Sequence, residues 1–147
     1  MAKSEIARFG ASELAQETEF LLARARATGT GLANSRLLGL GLKARSYAVL
    51  SLAASGLEPT QRELAEFLSL DASQIVALVD QLEKAELVER QPAPTDRRTN
   101  VIVATAAGQK VYVRARAVAH ETEAESLAAL SADEREDLRR LLSKITL

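Results

Sequence analysis

The residues able to carry chemistry are few, and the most suggestive group is Asp96-Arg97-Arg98, set in the turn-forming run Gln-Pro-Ala-Pro-Thr-Asp-Arg-Arg-Thr. The two prolines stiffen such a loop, and Asp96 can orient one guanidinium while the other stays free. An arginine projected from a stiff turn suits a phosphate or a narrow minor groove, because its charge is permanent and its donors form a fixed fork. The plainer reading is a solvated turn with an Asp–Arg pair. His120, the sole histidine, has Glu123 three residues on, but nothing supplies a convincing third ligand, so it reads as a solvated or interface histidine and no metal is expected. Glu121 and Glu125 lie on a solvated helix face without the pocket that paired catalytic carboxylates need. Gly29-Thr30-Gly31 lacks the third glycine and the preceding strand of a dinucleotide site. The absence of cysteine excludes a thiol nucleophile, a cysteine redox sensor and any cysteine-bearing metal site. No enzyme and no cofactor are expected.

The chain that positions these groups has 147 residues, 47% hydrophobic and 27% charged, enough for one domain with room for a dimerisation element. There is no signal-like run at the start and no stretch of ~18 apolar residues, which predicts a soluble, cytoplasmic protein without a membrane partner. Its 19 basic and 20 acidic residues give no basic surplus. Residues 1–42, 43–100 and 101–147 carry +1, −2 and 0. A nucleic-acid reading must therefore rest on a local cluster of charge.

Helical punctuation dominates the pattern. Ser12 can cap a helix with Leu14, Leu21, Leu22 and Ala25 as apolar positions, and the glycines at 29, 31, 39 and 41 imply fraying, a loop, or both. A second helix is expected from about Ala44 to Ser55, stopped by Gly56. Thr60 and Glu63 fit a capping box, as do Asp71 with Gln74 and Ser131 with Glu134. In the helix after Asp71, Ile75, Leu78, Val79 and Leu82 form one apolar stripe, while Ser73, Gln74, Ala77, Asp80, Gln81 and Lys84 lie largely away from it. Small neutral polar residues in a first turn allow close approach to base edges, although alone they fit a solvated face better. Leu87 to Arg90 and Asn100 to Ala104 have β-type composition and predict a hairpin with the Asp96-Arg97-Arg98 tip. After Thr105 a long helix should run to about Ala129, followed by a final one with Leu138, Leu141, Leu142 and Ile145. Two capped helices joined by Ser69-Leu70 and followed by a hairpin are the order of a winged helix-turn-helix.

With these stretches in place, the sequence resembles the MarR family of multiple-antibiotic-resistance-type transcriptional regulators over residues 12–147. The likeness is carried by Gly41 to Leu50, Thr60 to Ala65, Asp71 to Lys84, Leu87 to Arg90 and, most specifically, Asp96 to Gly108, where a charged tip leads into a strand and then Thr-x-x-Gly. The resemblance implies a mostly α fold with a small β-hairpin wing: one domain over 1–147, with dimerisation helices at about 12–40 and 105–147 and a winged helix-turn-helix at about 43–104. It also implies a homodimer that binds double-stranded DNA. Ser73, Gln74 and Ala77 would face the major groove, Thr60, Gln61 and Arg62 the phosphates, and Arg90 the hairpin base. Arg98, helped by Arg97 and held by Asp96, would enter the minor groove. Many members release DNA when a small aromatic ligand binds between the dimer helices and the winged domain, which here implicates Arg45 and Tyr47.

Three departures from the family pattern stand out. The stretch from Asp71 to Leu87 has Lys84 as its only cation against Asp71, Asp80, Glu83 and Glu86. The glycine usual after the recognition helix is Glu86, and the leucine usual before the wing-strand threonine is Ala104. The expected function is a repressor acting on a pseudo-palindromic operator. The acidic recognition helix motivates the alternative, a winged-helix protein–protein module or a regulator whose DNA binding has decayed.

Overall fold

The computed structural model describes residues 6–147. Two 3-10 turns, Ala7–Ala11 and Glu13–Gln16, precede α1 (Thr18–Leu37), α2 (Ala44–Ala53), α3 (Gln61–Leu68), α4 (Ala72–Lys84), β1 (Val88–Pro92), β2 (Asn100–Ala104), α5 (Ala106–Ser126) and α6 (Ala132–Thr146). The chain is mostly helical with a single two-stranded antiparallel hairpin among the described residues, as the sequence pattern predicts. The described residues divide into two compact units, Ala33–Thr122 on one hand and the residues up to Leu32 with Glu123–Leu147 on the other.

The Ala33–Thr122 unit holds the buried core. Leu64 from α3, Ile75, Val79 and Leu82 from α4, Val49 and Leu50 from α2 and Ile102 from β2 are at most 2% exposed. The i, i+4, i+7 spacing on α4 is what places its apolar stripe against the other helices. All the expected capping boxes form: Thr60 with Glu63, Asp71 with Gln74, and Ser131 with Glu134. The α2 start is held from a distance, since the Ala44 amide donates to Asn34 Oδ1 at 2.7 Å. The hairpin runs in register from Val88↔Ala104 to Pro92↔Asn100. A third short segment joins it, with Thr60 bridged to Val101 and the Ile102 amide donating to Pro59 at 2.8 Å. The wing is thereby fastened to the entry of α3.

The corner between α4 and the hairpin explains two motif residues. Glu86 takes the left-handed conformation (φ 59) that the helix end requires, although it has a Cβ. Thr105 Oγ1 donates to the Glu86 carbonyl at 2.7 Å and accepts from the Gly108 amide at 2.9 Å, capping α5. A Cβ on Gly108 would lie 1.8 Å from the Leu87 carbonyl oxygen, so only glycine permits this approach.

In the other unit, one sequence expectation is corrected. Ser12 caps the 3-10 turn Glu13–Gln16, accepting from Ala15, and the α-helix begins only at Thr18. Gly29 and Gly31 lie inside α1, while past Leu32, in the Ala33–Thr122 unit, the glycine-rich stretch becomes a turn at Leu38–Leu40 and ends on Gly41 at φ 71. The backbone hydrogen bonds of a long helix outweigh the ~1 kcal/mol cost of each interior glycine. Ile6, Phe9, Leu14 and Leu21 border a groove of about 860 Å³ and are each about half exposed. Leu141 and Ile145 on α6 are also exposed. Among the described residues no helix is long and apolar enough to cross a membrane.

Candidate nucleic-acid interface

The expected site residues gather at three places in the Ala33–Thr122 unit: the entries of α3 and α4, the base of the hairpin, and its tip. At the α3 entry, Thr60 is spent on its own helix. Its hydroxyl donates to Glu63 Oε2 at 3.0 Å and accepts from the Glu63 amide, and its amide donates to the same carboxylate at 2.8 Å. These bonds, the backbone one first, hold the Glu63 carboxyl below its ordinary range. Thr60 is thus a capping residue with no hydroxyl proton to offer a phosphate. Arg62, two residues on, is exposed.

At the α4 entry Asp71 accepts from the Ser73 hydroxyl at 2.6 Å and from the Gln74 amide at 2.8 Å, while Gln74 Oε1 accepts from the Asp71 amide at 3.2 Å. The Ser73 hydroxyl first, then the Gln74 amide, lower the Asp71 carboxyl from its ordinary value. Arg45, an exposed residue, lowers it further through its charge. Ala77 is exposed one turn along the same helix face.

Arg90 at the hairpin base is the most connected side chain of the group. Its Nε donates to Gln61 Oε1 at 3.0 Å, one terminal nitrogen to Glu83 Oε1 at 2.9 Å and the other to Asp80 Oδ1 at 2.6 Å. Its own amide also donates to Glu83. Arg90 therefore ties β1 to α3 and α4 and absorbs two of the acids that make α4 look unfit for DNA. The carboxylates of Asp80 and Glu83 recur at i, i+3 and so share one face with Arg90. That spacing was a readable signal for the clamp, missed in the sequence because both acids counted only as charge. Beside the clamp, an open groove of about 720 Å³ is lined by Gln61, Arg62, Glu63, Arg90, Thr99 and Asn100.

At the tip, Asp96 does not pair with a guanidinium, correcting the sequence expectation. Its Oδ1 accepts from the Arg98 backbone amide at 2.9 Å and its Oδ2 from the Thr99 hydroxyl at 3.4 Å. A short side chain bonding two residues ahead is the local turn chemistry of aspartate, which wins over a flexible arginine. Arg97 and Arg98 are exposed, and neither forms an ion pair among the described residues. Asp96 holds the backbone and leaves both guanidinium groups outward.

The two residues expected at a ligand site have different neighbours. Arg45 faces Asp71 electrostatically. Tyr47 stacks on Tyr112, with centroids 6.4 Å apart and planes at 20°, and burial first, then Tyr112, raises its hydroxyl against the pull of Arg116. Tyr112 and Arg116 went unread in the sequence; they lie one helical turn apart on α5, and Tyr112 is the only other tyrosine. His120 is exposed, and no cluster of metal-binding side chains occurs among the described residues.

Comparison with known proteins gives a consistent picture. A sequence profile of the MarR family matches residues 40–99. A MarR-family transcriptional regulator from Rhodococcus sp. RHA1 is 34% identical, with a TM-score of 0.87 over 93% of this chain and 97% of that one. CouR from Rhodococcus jostii RHA1, bound to p-coumaroyl-CoA, is 35% identical, with a TM-score of 0.84 over 93% and 96%. A Mycobacterium tuberculosis MarR family protein in complex with salicylic acid is 26% identical, with a TM-score of 0.74 over 88% and 96%.

Proposed function

The chain belongs to the MarR family of winged-helix transcriptional regulators, and from that premise we propose that it is a homodimeric repressor that binds a pseudo-palindromic operator in double-stranded DNA. The observation that carries this reading is the wing tip, where Asp96 orders the backbone and leaves Arg97 and Arg98 exposed and without an ion pair among the described residues. Arg98 enters the minor groove and Arg97 supports it. Ser73, Gln74 and Ala77 face the major groove, and Gln61 and Arg62 meet phosphates. In this reading Arg90 and Thr60 serve the interface from behind, one as a clamp and the other as a cap. Exposed Ile6, Phe9, Leu14, Leu21, Leu141 and Ile145 support burial of the terminal helices in a dimer. Two-fold symmetry then spaces the half-sites by about 10 base pairs, roughly 34 Å.

The Tyr47–Tyr112 stack with Arg116 beside it offers an aromatic wall and a cation, which suits a small aromatic acid or its ester. Two relatives hold ligands of that kind. The protein thus works in the cytoplasm as a binder whose output is transcription, with no catalytic activity. The competing interaction-module reading draws on the acidity of α4, and the pairing of Asp80 and Glu83 with Arg90 takes away much of its motive.

Fluorescence anisotropy on the DNA upstream of the protein's own gene tests the reading, with a salt titration and scrambled competitor. The expected result is specific, salt-dependent binding that Arg98→Ala weakens strongly while sedimentation still reports a dimer. Equal affinity for scrambled DNA, or an unchanged Arg98→Ala variant, would overturn it.

A further inference from the structure

Resting on the DNA reading above, we propose that Ser73 and Gln74 meet bases with fixed and opposite hydrogen-bond polarity, Ser73 only as acceptor and Gln74 only as donor. This adds no site to the interface; it fixes what two of its residues can read. A free serine hydroxyl can donate or accept, and a free glutamine can do both at once. Neither freedom survives the capping box of α4. The Ser73 proton is committed to Asp71 Oδ1 at 2.6 Å, which leaves only its lone pairs facing outward. Gln74 Oε1 faces back to the Asp71 amide at 3.2 Å. That partner is an N–H, which can only donate, so the amide cannot be turned around without losing the bond.

The consequence is a restricted code. A glutamine grips adenine by accepting from N6 and donating to N7 in one plane, which needs both amide atoms on the base edge. Here the oxygen faces the helix's own cap and the NH₂ alone points onward. Gln74 therefore requires an acceptor: a purine N7, guanine O6 or thymine O4. Ser73 requires an amino group, adenine N6 or cytosine N4. The same arrangement recurs at α3, where Gln61 Oε1 is held by Arg90 Nε at 3.0 Å and only its NH₂ remains for a phosphate. Two glutamines with their carbonyls tied inward present donors to a ligand made of acceptors.

The test starts with selection from random duplexes using the whole protein, which yields the operator. Each half-site is then remade with 7-deazapurines, which lack N7, with 2-aminopurine in place of guanine, which lacks O6, and with a thymine analogue lacking O4. One of these replacements should weaken wild-type binding by about 5- to 150-fold, the loss of one hydrogen bond in each of the two half-sites. The same replacement should leave the affinity of Gln74→Ala unchanged. Gln74→Glu keeps the capping acceptor, so its melting temperature should match or exceed wild type, but it loses the donor and should lose operator preference. Binding that survives every acceptor deletion, or a Gln74→Glu variant that keeps its operator preference, would overturn the polarity assignment while leaving the DNA reading intact. A protein that selects no sequence over background would overturn both.

Discussion

Replacing Arg90 by alanine separates a clamp from a DNA contact, because the two roles leave different traces. The substitution removes ion pairs to Asp80 and Glu83 and the hydrogen bond to Gln61. The arginine side chain is 24% exposed and the two carboxylates 60% and 42%, so each pair counts as a surface pair. At about 0.2–1 kcal/mol for each pair and about 1 for the hydrogen bond, the loss comes to about 2 kcal/mol. Asp80 and Glu83 also begin to repel each other once their shared cation is gone, by a few tenths of a kcal/mol. For a chain of this size the melting temperature should fall by about 4–8 °C. The gap should narrow in 1 M salt, where the screening length drops to about 3 Å. Arg90→Lys keeps the charge but not the fork, and should recover only part of the loss. On operator DNA, a residue that neutralises a phosphate in each subunit contributes about 2 to the salt slope of the dimer. A clamp contributes nothing to that slope, so affinity should fall while the slope stays. Unchanged thermal stability together with a slope reduced by about 2 would refute the clamp and return Arg90 to the phosphates.

Other expectations follow from the backbone and the caps. Glu86→Gly should stabilise the protein by about 1 kcal/mol, read from urea unfolding, because it relieves a left-handed residue with a Cβ. Gly108→Ala should cost about 3 kcal/mol or more in the same assay, since its methyl would overlap the Leu87 carbonyl. Asp71 and Glu63 have folded values below their ordinary 3.8 and 4.5. Their contribution is therefore present above those values and is lost as pH falls through the lowered folded ones. The melting temperature should drop through that acid range, and the Asp71→Asn and Glu63→Gln variants should show a flatter acid limb. A parallel limb in both variants would assign the acid sensitivity elsewhere.

The parts of the fold that sequence reading anticipated are those whose causes are local. A capping box needs two residues three apart, so Thr60 with Glu63, Asp71 with Gln74 and Ser131 with Glu134 are legible from spacing alone. The apolar stripe of α4 is legible for the same reason. What escaped depends on distant partners. Arg90 finds Gln61 29 residues away, and Asn34 caps a helix ten residues downstream. Asp96 misled because a charge beside two arginines suggests an ion pair, whereas its short side chain reaches the Arg98 amide first. Glu86 stands where the family usually has a glycine, and the chain adopts the left-handed conformation there regardless. The weld made by Thr105, the Leu87 carbonyl and Gly108 fixes that corner more strongly than one residue's preference opposes it.

That weld has a mechanical meaning. The Thr105 amide holds the Leu87 carbonyl at 3.0 Å while its hydroxyl holds Glu86, so the first turn of α5 and the last turn of α4 share a pivot. From this pivot the 13 residues of α4 extend as a lever roughly 20 Å long. A turn of about 5° at the pivot sweeps the Ser73 end through roughly 1.7 Å, more than the whole tolerance of a hydrogen bond. Small rotations of α5, which carries Tyr112 and Arg116, are thus geared up at the end of α4 that would meet the bases.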